Sequence, residues 1–220
     1  LATRGLGSAE LHAQFRMGFS DRTLGFRLPL RGPRGDKEKP TLRERLTELG
    51  VLRETGHEHY RGCVVVPLED AAGRVVQLYG RRTDTHYRPH HLYLSRPQRG
   101  VFNREGLQGA EEVILCEAIF DAMTFWVHGF RNVTTGYGIE GVTDEILDAI
   151  AESGARLVKI AFDRDEAGDR GAEKVAARIS ARGLEAQRVL FPKGMDANEY
   201  ARKVAPGAAS LKIALEKAEP

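Results

Sequence analysis

The second half of the chain, from about residue 111 to residue 205, alternates short apolar segments with amphipathic ones. This alternation constrains the fold more than any other feature. The apolar segments have the length and composition of buried strands, and they read EEVILCEA, NVTTGYG, RLVKIAF and EAQRVLF. Helical patterns lie between them, and two of these stop at Gly129 and Gly154, as helices commonly do. The pattern therefore predicts a mainly parallel sheet with helices on both faces.

The first half has a different pattern, which predicts a smaller α+β subdomain. SAELHAQFRMGF and TLRERLTELGVL have helical spacing, and the segment between them is rich in proline, glycine and charge, as linkers are. VVVPLEDAAGRVVQLYGRR predicts a hairpin with its turn at EDAAG. The change of pattern predicts a boundary near residue 108, and residues 206–220 are expected to form a C-terminal helix.

Charge is distributed unevenly along the chain, although the 220 residues carry a net charge of only +2. Residues 1–110 contain 19 Lys and Arg against 12 Asp and Glu, whereas residues 111–220 contain 14 against 19. A basic half that binds a polyanion and an acidic half that holds cations would produce this difference. Two ordinary solvated surfaces would produce it as well.

The composition also argues against several classes of protein. Cys63 and Cys116 are far apart and have no Cys/His cluster near them, so we expect no zinc module and a reducing, cytoplasmic location. No apolar run approaches the roughly 20 residues of a membrane span, and the opening residues lack a signal-peptide pattern. No membrane partner is therefore expected. No Walker A sequence is present, so no helicase motor is expected.

Acidic residues follow three of the predicted strands. Glu117 comes directly after VILC, with Asp121 one turn further on. Asp163 and Asp165 follow KIAF, and Asp196 follows RVLFPKGM. Because ligands of parallel sheets bind outside the carboxyl ends of the strands, these acids are expected to meet at one edge. Two carboxylates about 4 Å apart repel by roughly 4 kcal/mol at an effective dielectric constant near 20, so the group requires protons or hard cations such as Mg²⁺ or Mn²⁺.

Each acid also has a purely structural interpretation. The negative charges of Asp165, Glu166 and Asp169 could simply stabilise the positive N-terminus of the helix that begins there. Glu117 could be a surface acid, and Asp121 could pair with solvent or with a nearby arginine. Taken one at a time, the acids leave both interpretations open. Their combination, with each acid placed after a strand, is the more specific signal.

Four segments together resemble the Toprim domain of bacterial DnaG-type primases and phage primase-helicases: VILCEAIFDAMT, TTGYG, IAFDRDEAGDRGAEK and VLFPKGMDANEY. LATRGLGSAELHAQFRMGF and LYLSRPQRGVFN resemble parts of the primase core that precede this domain, so the resemblance covers residues 1 to about 205. It implies a Toprim-type sheet over residues 109–205 and a basic, nucleic-acid-binding subdomain over residues 1–108.

The resemblance also implies roles for individual residues. Catalytic and metal-binding roles fall to Glu117, Asp163 and Asp165, with Asp196 as a further metal ligand. The implied supporting residues are Asp121, Gly136, Gly138, Gly168 and Asn198. Spaced arginines with Tyr87 and Tyr93 suit single-stranded nucleic acid, although a solvated basic loop would look the same. The implied nucleotide or nucleic-acid contacts are Arg81, Arg82, Arg88, Tyr93, Arg99, Asn103 and Lys193.

The implied activity is DNA-templated synthesis of short RNA primers by a nucleotidyltransferase. It would use nucleoside triphosphates and two or more Mg²⁺ or Mn²⁺ ions. The implied partners are a single-stranded DNA template, the RNA/DNA duplex and, through regions outside this chain, a replicative helicase. Two residues depart from the family pattern: Leu92 stands in place of a basic residue, and Asn198 in place of a second acid. A metal-dependent Toprim nuclease and a non-catalytic single-stranded nucleic-acid-binding module remain as alternatives.

Overall fold

The computed structural model describes residues 1–29, 40–84, 86–95 and 97–220, so most of the predicted linker lies outside the described residues. The described helices are α1 (Ala9–Gln14), α2 (Leu24–Arg27), α3 (Leu42–Glu48), α4 (Arg104–Leu107), α5 (Ile119–Val127), α6 (Asp144–Glu152), α7 (Glu166–Ser180), α8 (Ala197–Lys203) and α9 (Gly207–Glu216). The described strands are β1 (Gly18–Phe19), β2 (Cys63–Glu69), β3 (Val75–Arg82), β4 (His91–Tyr93), β5 (Glu112–Cys116), β6 (Val133–Thr135), β7 (Leu157–Ala161) and β8 (Glu185–Arg188).

The described residues form two compact units. The parallel-sheet unit comprises Leu1–Ala13, Glu69–Arg74 and Arg99–Pro220, and the antiparallel-sheet unit comprises the described parts of Gln14–Leu68 and Val75–Gln98. The first residues of the chain group with the second half because their contacts lie there. Arg4, for example, stacks over the Phe120 ring. The functional division into residues 1–108, 109–205 and 206–220 stays a prediction.

The parallel-sheet unit is built on four strands in the order β6-β5-β7-β8, all of them parallel. Residues such as Val113 and Val158 are fully buried, as expected for strands that are covered on both faces. The flanking helices begin and end where the sequence predicts. Thr143 caps the start of α6 by accepting a hydrogen bond from the Ile146 N–H. Gly129 and Gly154, each with a positive φ, follow the ends of α5 and α6. The predicted α/β fold class is confirmed.

The antiparallel-sheet unit holds a second sheet, in the order β1-β2-β3-β4. β1 pairs antiparallel with β2, and β3 with β4. The predicted turn lies between β2 and β3, where the Asp70 carboxylate accepts backbone N–H bonds from Ala72 and Arg74. Leu92 is buried against Tyr60 in this unit's small core, which explains the apolar residue at that position. None of the described helices is both long and apolar enough to cross a bilayer.

Candidate active site

The strand register places the predicted acids at one edge of the parallel sheet. Cys116, the last residue of β5, pairs with Ala161, the last residue of β7. Glu117 therefore comes one residue beyond the paired strand ends, and Asp163 comes two residues beyond them. The loop after β8 joins the same edge, because the Arg164 N–H donates to the Met195 carbonyl and the Arg164 carbonyl accepts from the Gly194 N–H. Asp196 follows directly in that loop.

Burial and mutual repulsion act on the carboxyl groups at this edge. Burial, followed by the charge of Asp163, raises the pKa of Glu117 to about 7. Burial, followed by the charges of Asp196 and Asp165, raises the pKa of Asp163 to about 6. The carboxyl of Asp121 is buried, and burial followed by the charges of Asp196 and Asp163 raises its pKa well above the ordinary value. These acids thus lie close enough together to interact.

Two of the acids also cap helices. Asp165 is the N-cap of α7, and its Oδ1 accepts a hydrogen bond of 2.7 Å from the Gly168 N–H. Asp196 is the N-cap of α8, and its Oδ1 accepts one of 2.6 Å from the Glu199 N–H. The helix-start interpretation thus describes part of the role of Asp165. Each cap bond uses one lone pair of Oδ1, so capping leaves both carboxylates with further lone pairs for a metal ion.

The predicted supporting glycines lie where the backbone comes close to the acids. A Cβ on Gly168 would overlap the carbonyl oxygen of Asp163, so the first turn of α7 lies directly against this acid's backbone. The Gly136 N–H donates to the Cys116 carbonyl at 3.1 Å, and the Gly138 N–H to the Glu117 carbonyl at 3.3 Å. Gly138 has a φ of 94°, a backbone angle that residues other than glycine rarely adopt. The glycines therefore bring the loop after β6 and the helix after β7 close to Glu117 and Asp163.

Asn198 and Asp121 are placed differently from the simplest expectations. The Asn198 side chain is buried, and its Nδ2 donates to the Arg4 carbonyl at 2.9 Å and to the Thr124 hydroxyl at 2.8 Å. The Asn198 N–H donates to Asp121 Oδ1 at 3.4 Å. Asp121 therefore accepts a hydrogen bond from the backbone of α8, where the structural interpretation had expected solvent or a nearby arginine as its partner. Asn198 joins the first residues of the chain to α5 and α8.

Several observations bear on whether these residues fit a divalent cation. Glu117 Oε2 is buried and has no hydrogen-bond partner among the described residues. This is unfavourable unless a cation binds the oxygen or a proton neutralises the carboxylate. The donors are all oxygens, the kind that Mg²⁺ and Mn²⁺ prefer. Across the described part of the chain, however, no three His, Cys, Asp or Glu side chains form a ready-made cage for one ion. Oxygen donors without such a cage would suit an ion that keeps several waters, as Mg²⁺ does.

Four of the predicted nucleic-acid contacts lie in the antiparallel-sheet unit. Arg81 contacts the His91 ring, and Arg82 Nε donates to the Pro89 carbonyl at 3.0 Å. Arg88 is exposed. Tyr93 packs its ring against that of Tyr79, with centroids 5.4 Å apart, and burial raises its pKa. The more accessible ring for base stacking is that of Tyr87, whose exposed fraction is 63%.

The other three predicted contacts lie in the parallel-sheet unit. Arg99 is exposed, and its carbonyl accepts a hydrogen bond from the Tyr137 hydroxyl. Asn103 has a left-handed backbone, and its Nδ2 donates to the carbonyls of Arg131 and Val133 at 2.8 Å each. Its amide nitrogen therefore joins α4 to β6. Lys193 is exposed in the loop that leads to Asp196.

Arg188 lies beside the acids, although no sequence motif predicts a role for it. Its guanidinium donates to the Asp163 carbonyl at 2.8 Å and also pairs with Asp169. Asp169 is thus more than a helix-start charge. An arginine in the pattern EAQRVLF looks like a solvent-facing strand position. The available signal was its place at the end of a strand, directly before the apolar run VLF.

Without metal, the protein is expected to lose stability as pH rises from about 4 to about 7. The folded-state pKa values of Glu117 (about 7) and Asp163 (about 6) exceed the ordinary values of 4.5 and 3.8. In this interval the folded protein holds protons that the unfolded chain has released, so raising the pH favours unfolding. We expect the melting temperature in chelator to fall by about 2–8 °C between pH 4.5 and pH 8.

The matched control for this experiment is the double variant Glu117→Gln/Asp163→Asn, which removes both titrating groups. The difference between its melting profile and that of the wild type isolates these two acids from other titrating groups. Two parallel profiles would show that the two carboxyl groups titrate normally.

Known proteins are similar to this chain in sequence over most of its length. Residues 114–201 match a family model described as Toprim-like. A DNA primase of Deinococcus radiodurans is 27% identical over 212 residues, which cover 89% of this chain and 35% of that protein. A DNA primase of Staphylococcus aureus is 27% identical over 158 residues, which cover 67% of this chain and 25% of that protein. The chain thus spans about a third or less of the length of these two relatives.

Solved structures match the fold over nearly the whole chain. The Aquifex aeolicus primase, with zinc-binding and RNA polymerase domains, has a TM-score of 0.79 at 21% identity, covering 99% of this chain and 54% of that one. A DnaG primase catalytic domain bound to single-stranded DNA has a TM-score of 0.77 at 20% identity, covering 100% of this chain and 73% of that one. At this level of identity the likeness concerns the fold alone.

Proposed function

We propose that this chain, which carries a Toprim domain within the fold of a DnaG-type primase catalytic core, joins ribonucleotides into short RNA primers on a DNA template. The observation that carries the proposal is the set of interacting carboxyl groups at the carboxyl edge of the parallel sheet. The raised pKa values of Glu117 and Asp163 indicate a site that is electrostatically incomplete without cations. The DNA primase relatives support this reaction over other metal-dependent chemistry.

The proposed cofactors are Mg²⁺ or Mn²⁺, in two or more ions, held by Glu117, Asp163, Asp165 and Asp196. When bound, such ions lower the pKa of the primer 3′-hydroxyl and neutralise the triphosphate. The residues of the chain supply position and charge. Gly168 lets α7 lie directly against Asp163, the N-caps fix Asp165 and Asp196, and the backbone of Asn198 holds Asp121. No protein nucleophile is required.

The proposed partners are single-stranded template and the nascent RNA/DNA duplex. The proposed phosphate contacts are Arg88, Arg99 and Lys193, which are exposed, and the proposed base-stacking ring is the exposed Tyr87. The solved DnaG domain bound to single-stranded DNA supports this role for the fold. A replicative helicase is a further proposed partner, through regions outside this chain. A cytoplasmic location stays a prediction. Both cysteines are buried and free.

A synthesis assay tests the proposal. The purified chain is incubated with single-stranded DNA, labelled ribonucleoside triphosphates and Mg²⁺ or Mn²⁺, with a chelator as the metal-free control. Short labelled RNA that depends on both template and metal is the expected product. Degradation of labelled DNA without any synthesis would replace the primase with a nuclease. DNA binding that is insensitive to chelator, without turnover in either assay, would identify a binding module.

A further inference from the structure

Arg188 is the last residue of the edge strand β8 and lies beside the residues that follow β7. Its Nη1 donates to the carbonyls of Ile160 and Phe162 at 3.2 and 2.9 Å, and its Nη2 to that of Asp163 at 2.8 Å. The Ile160 carbonyl also accepts from the Val189 N–H at 2.9 Å, whereas the hydrogen bonds to the Phe162 and Asp163 carbonyls come from the Arg188 guanidinium. Buried carbonyls need such partners, and a single guanidinium supplies them. The side chain is only 14% exposed.

Asp169, in the first turn of α7, holds this guanidinium in place. Asp169 Oδ1 accepts from Arg188 Nη2 at 3.2 Å and from Arg164 Nη1 at 2.8 Å. Burial alone would raise the pKa of Asp169, but the hydrogen bonds from Arg188 and Arg164 lower it, so the carboxylate stays charged. Two arginines on one carboxylate leave a fixed positive charge next to the acidic edge.

The backbone of Asp163 is consequently fixed from two sides. Arg188 bonds its carbonyl, and Gly168 approaches the same carbonyl so closely that a Cβ would not fit. A backbone held in this way fixes the position of the Asp163 Cα and thereby limits the region that its carboxylate can reach. Small displacements of a ligand matter at metal sites, because the groups that orient the ligands contribute strongly to affinity.

We propose that Arg188 is a positioning residue that holds the end of β7 so that the Asp163 carboxylate is directed toward Glu117 before an ion binds. The inference rests on the proposed metal site and adds a residue to it. Arg188 acts through the backbone and does not itself contact the ion or the substrate.

Positioning and simple electrostatics predict opposite results when Arg188 is removed. Arg188 carries a positive charge that also lowers the pKa of Glu117 and Asp163. If charge were its whole role, removing it would lessen the repulsion of a divalent cation and tighten metal binding, provided that binding is measured well above pH 7, where both carboxyl groups are ionised. If positioning is its role, the freed carbonyls let the Asp163 loop move, and metal binding weakens.

The test is direct Mn²⁺ binding, measured by electron paramagnetic resonance on the full chain without substrate. Arg188→Met is expected to raise the Mn²⁺ dissociation constant about 10-fold or more, in the range found for groups that orient metal ligands. Arg188→Lys keeps the charge without the planar fork, so we expect an intermediate value. Arg182→Met is the matched control: Arg182 also pairs with two acids, Asp144 and Asp148, and we expect a change of less than about twofold.

The outcomes separate this inference from the proposed function. Wild-type protein that binds no Mn²⁺ would overturn the metal site and the inference together. Wild-type binding with equal or tighter binding by Arg188→Met would overturn only the positioning role. If Arg188→Met does not fold by circular dichroism, Arg188→Lys decides: wild-type affinity in that variant would mean that charge alone is sufficient.

Discussion

Asp163→Asn is expected to reduce primer synthesis on the order of 10³-fold, which corresponds to about 4 kcal/mol of lost transition-state stabilisation. Asp163 has a pKa of about 6 because it is buried and lies near Asp196 and Asp165. Its charge is therefore unfavourable in the metal-free fold and useful only when cations are bound. We expect the metal-free variant to melt at the same temperature as the wild type at pH 8, or at a higher one. The measurements are RNA synthesis at saturating metal and thermal unfolding in chelator.

Two neighbours of Asp163 provide the controls for this substitution. Asp165→Asn keeps an N-cap residue on α7, so a loss of synthesis in that variant reports the carboxylate and not the helix. Glu166→Gln changes an exposed acid in the same turn, and we expect synthesis within about twofold of the wild type. Full synthesis by Asp163→Asn, or by the double variant Asp163→Ala/Asp165→Ala, would show that the acids are assigned wrongly.

Gly168→Ala is expected to destabilise the protein by about 3 kcal/mol and to lower its melting temperature by about 6–12 °C. The added Cβ would overlap the Asp163 carbonyl oxygen, which is backbone and is also bonded by Arg188. The three nearest atoms that the Cβ would meet are all backbone atoms of Asp163, which cannot yield by a rotamer change, so α7 or the acidic loop has to shift. Thermal unfolding measures the loss of stability. Mn²⁺ binding measures the shift of the acidic loop, and we expect the variant to bind Mn²⁺ more weakly than the wild type does.

Gly25→Ala is the matched control for the glycine substitution. Gly25 lies in α2, and a Cβ there would meet no atom within 4 Å. Alanine is the better helix former, so we expect stability to change by no more than about 1 kcal/mol. A melting temperature of Gly168→Ala equal to that of the wild type would contradict the close approach of α7 to Asp163.

Periodicity and turn residues predicted the parallel sheet because each of these signals is local. The alternation of apolar and amphipathic segments corresponds to β5 through α8, and the stops at Gly129 and Gly154 are confirmed by their positive φ. The Toprim resemblance is confirmed by the Toprim-like match over residues 114–201 and by the DNA primase relatives, and the DnaG catalytic core has the same fold. The roles of the individual site residues stay predictions.

The sequence by itself determined that Glu117, Asp163 and Asp196 follow strands, and parallel pairing then brings such residues to one edge. Only the tertiary structure decided what each side chain bonds. Asn198 meets the Arg4 carbonyl across 194 residues, and Arg188 meets the Asp163 carbonyl across 25. Backbone pattern is encoded in neighbours along the chain, whereas burial, hydrogen-bond partners and pKa depend on groups that only folding brings together. Arg188 therefore looks like a surface strand residue in the sequence and bonds the backbone of the candidate site in the structure.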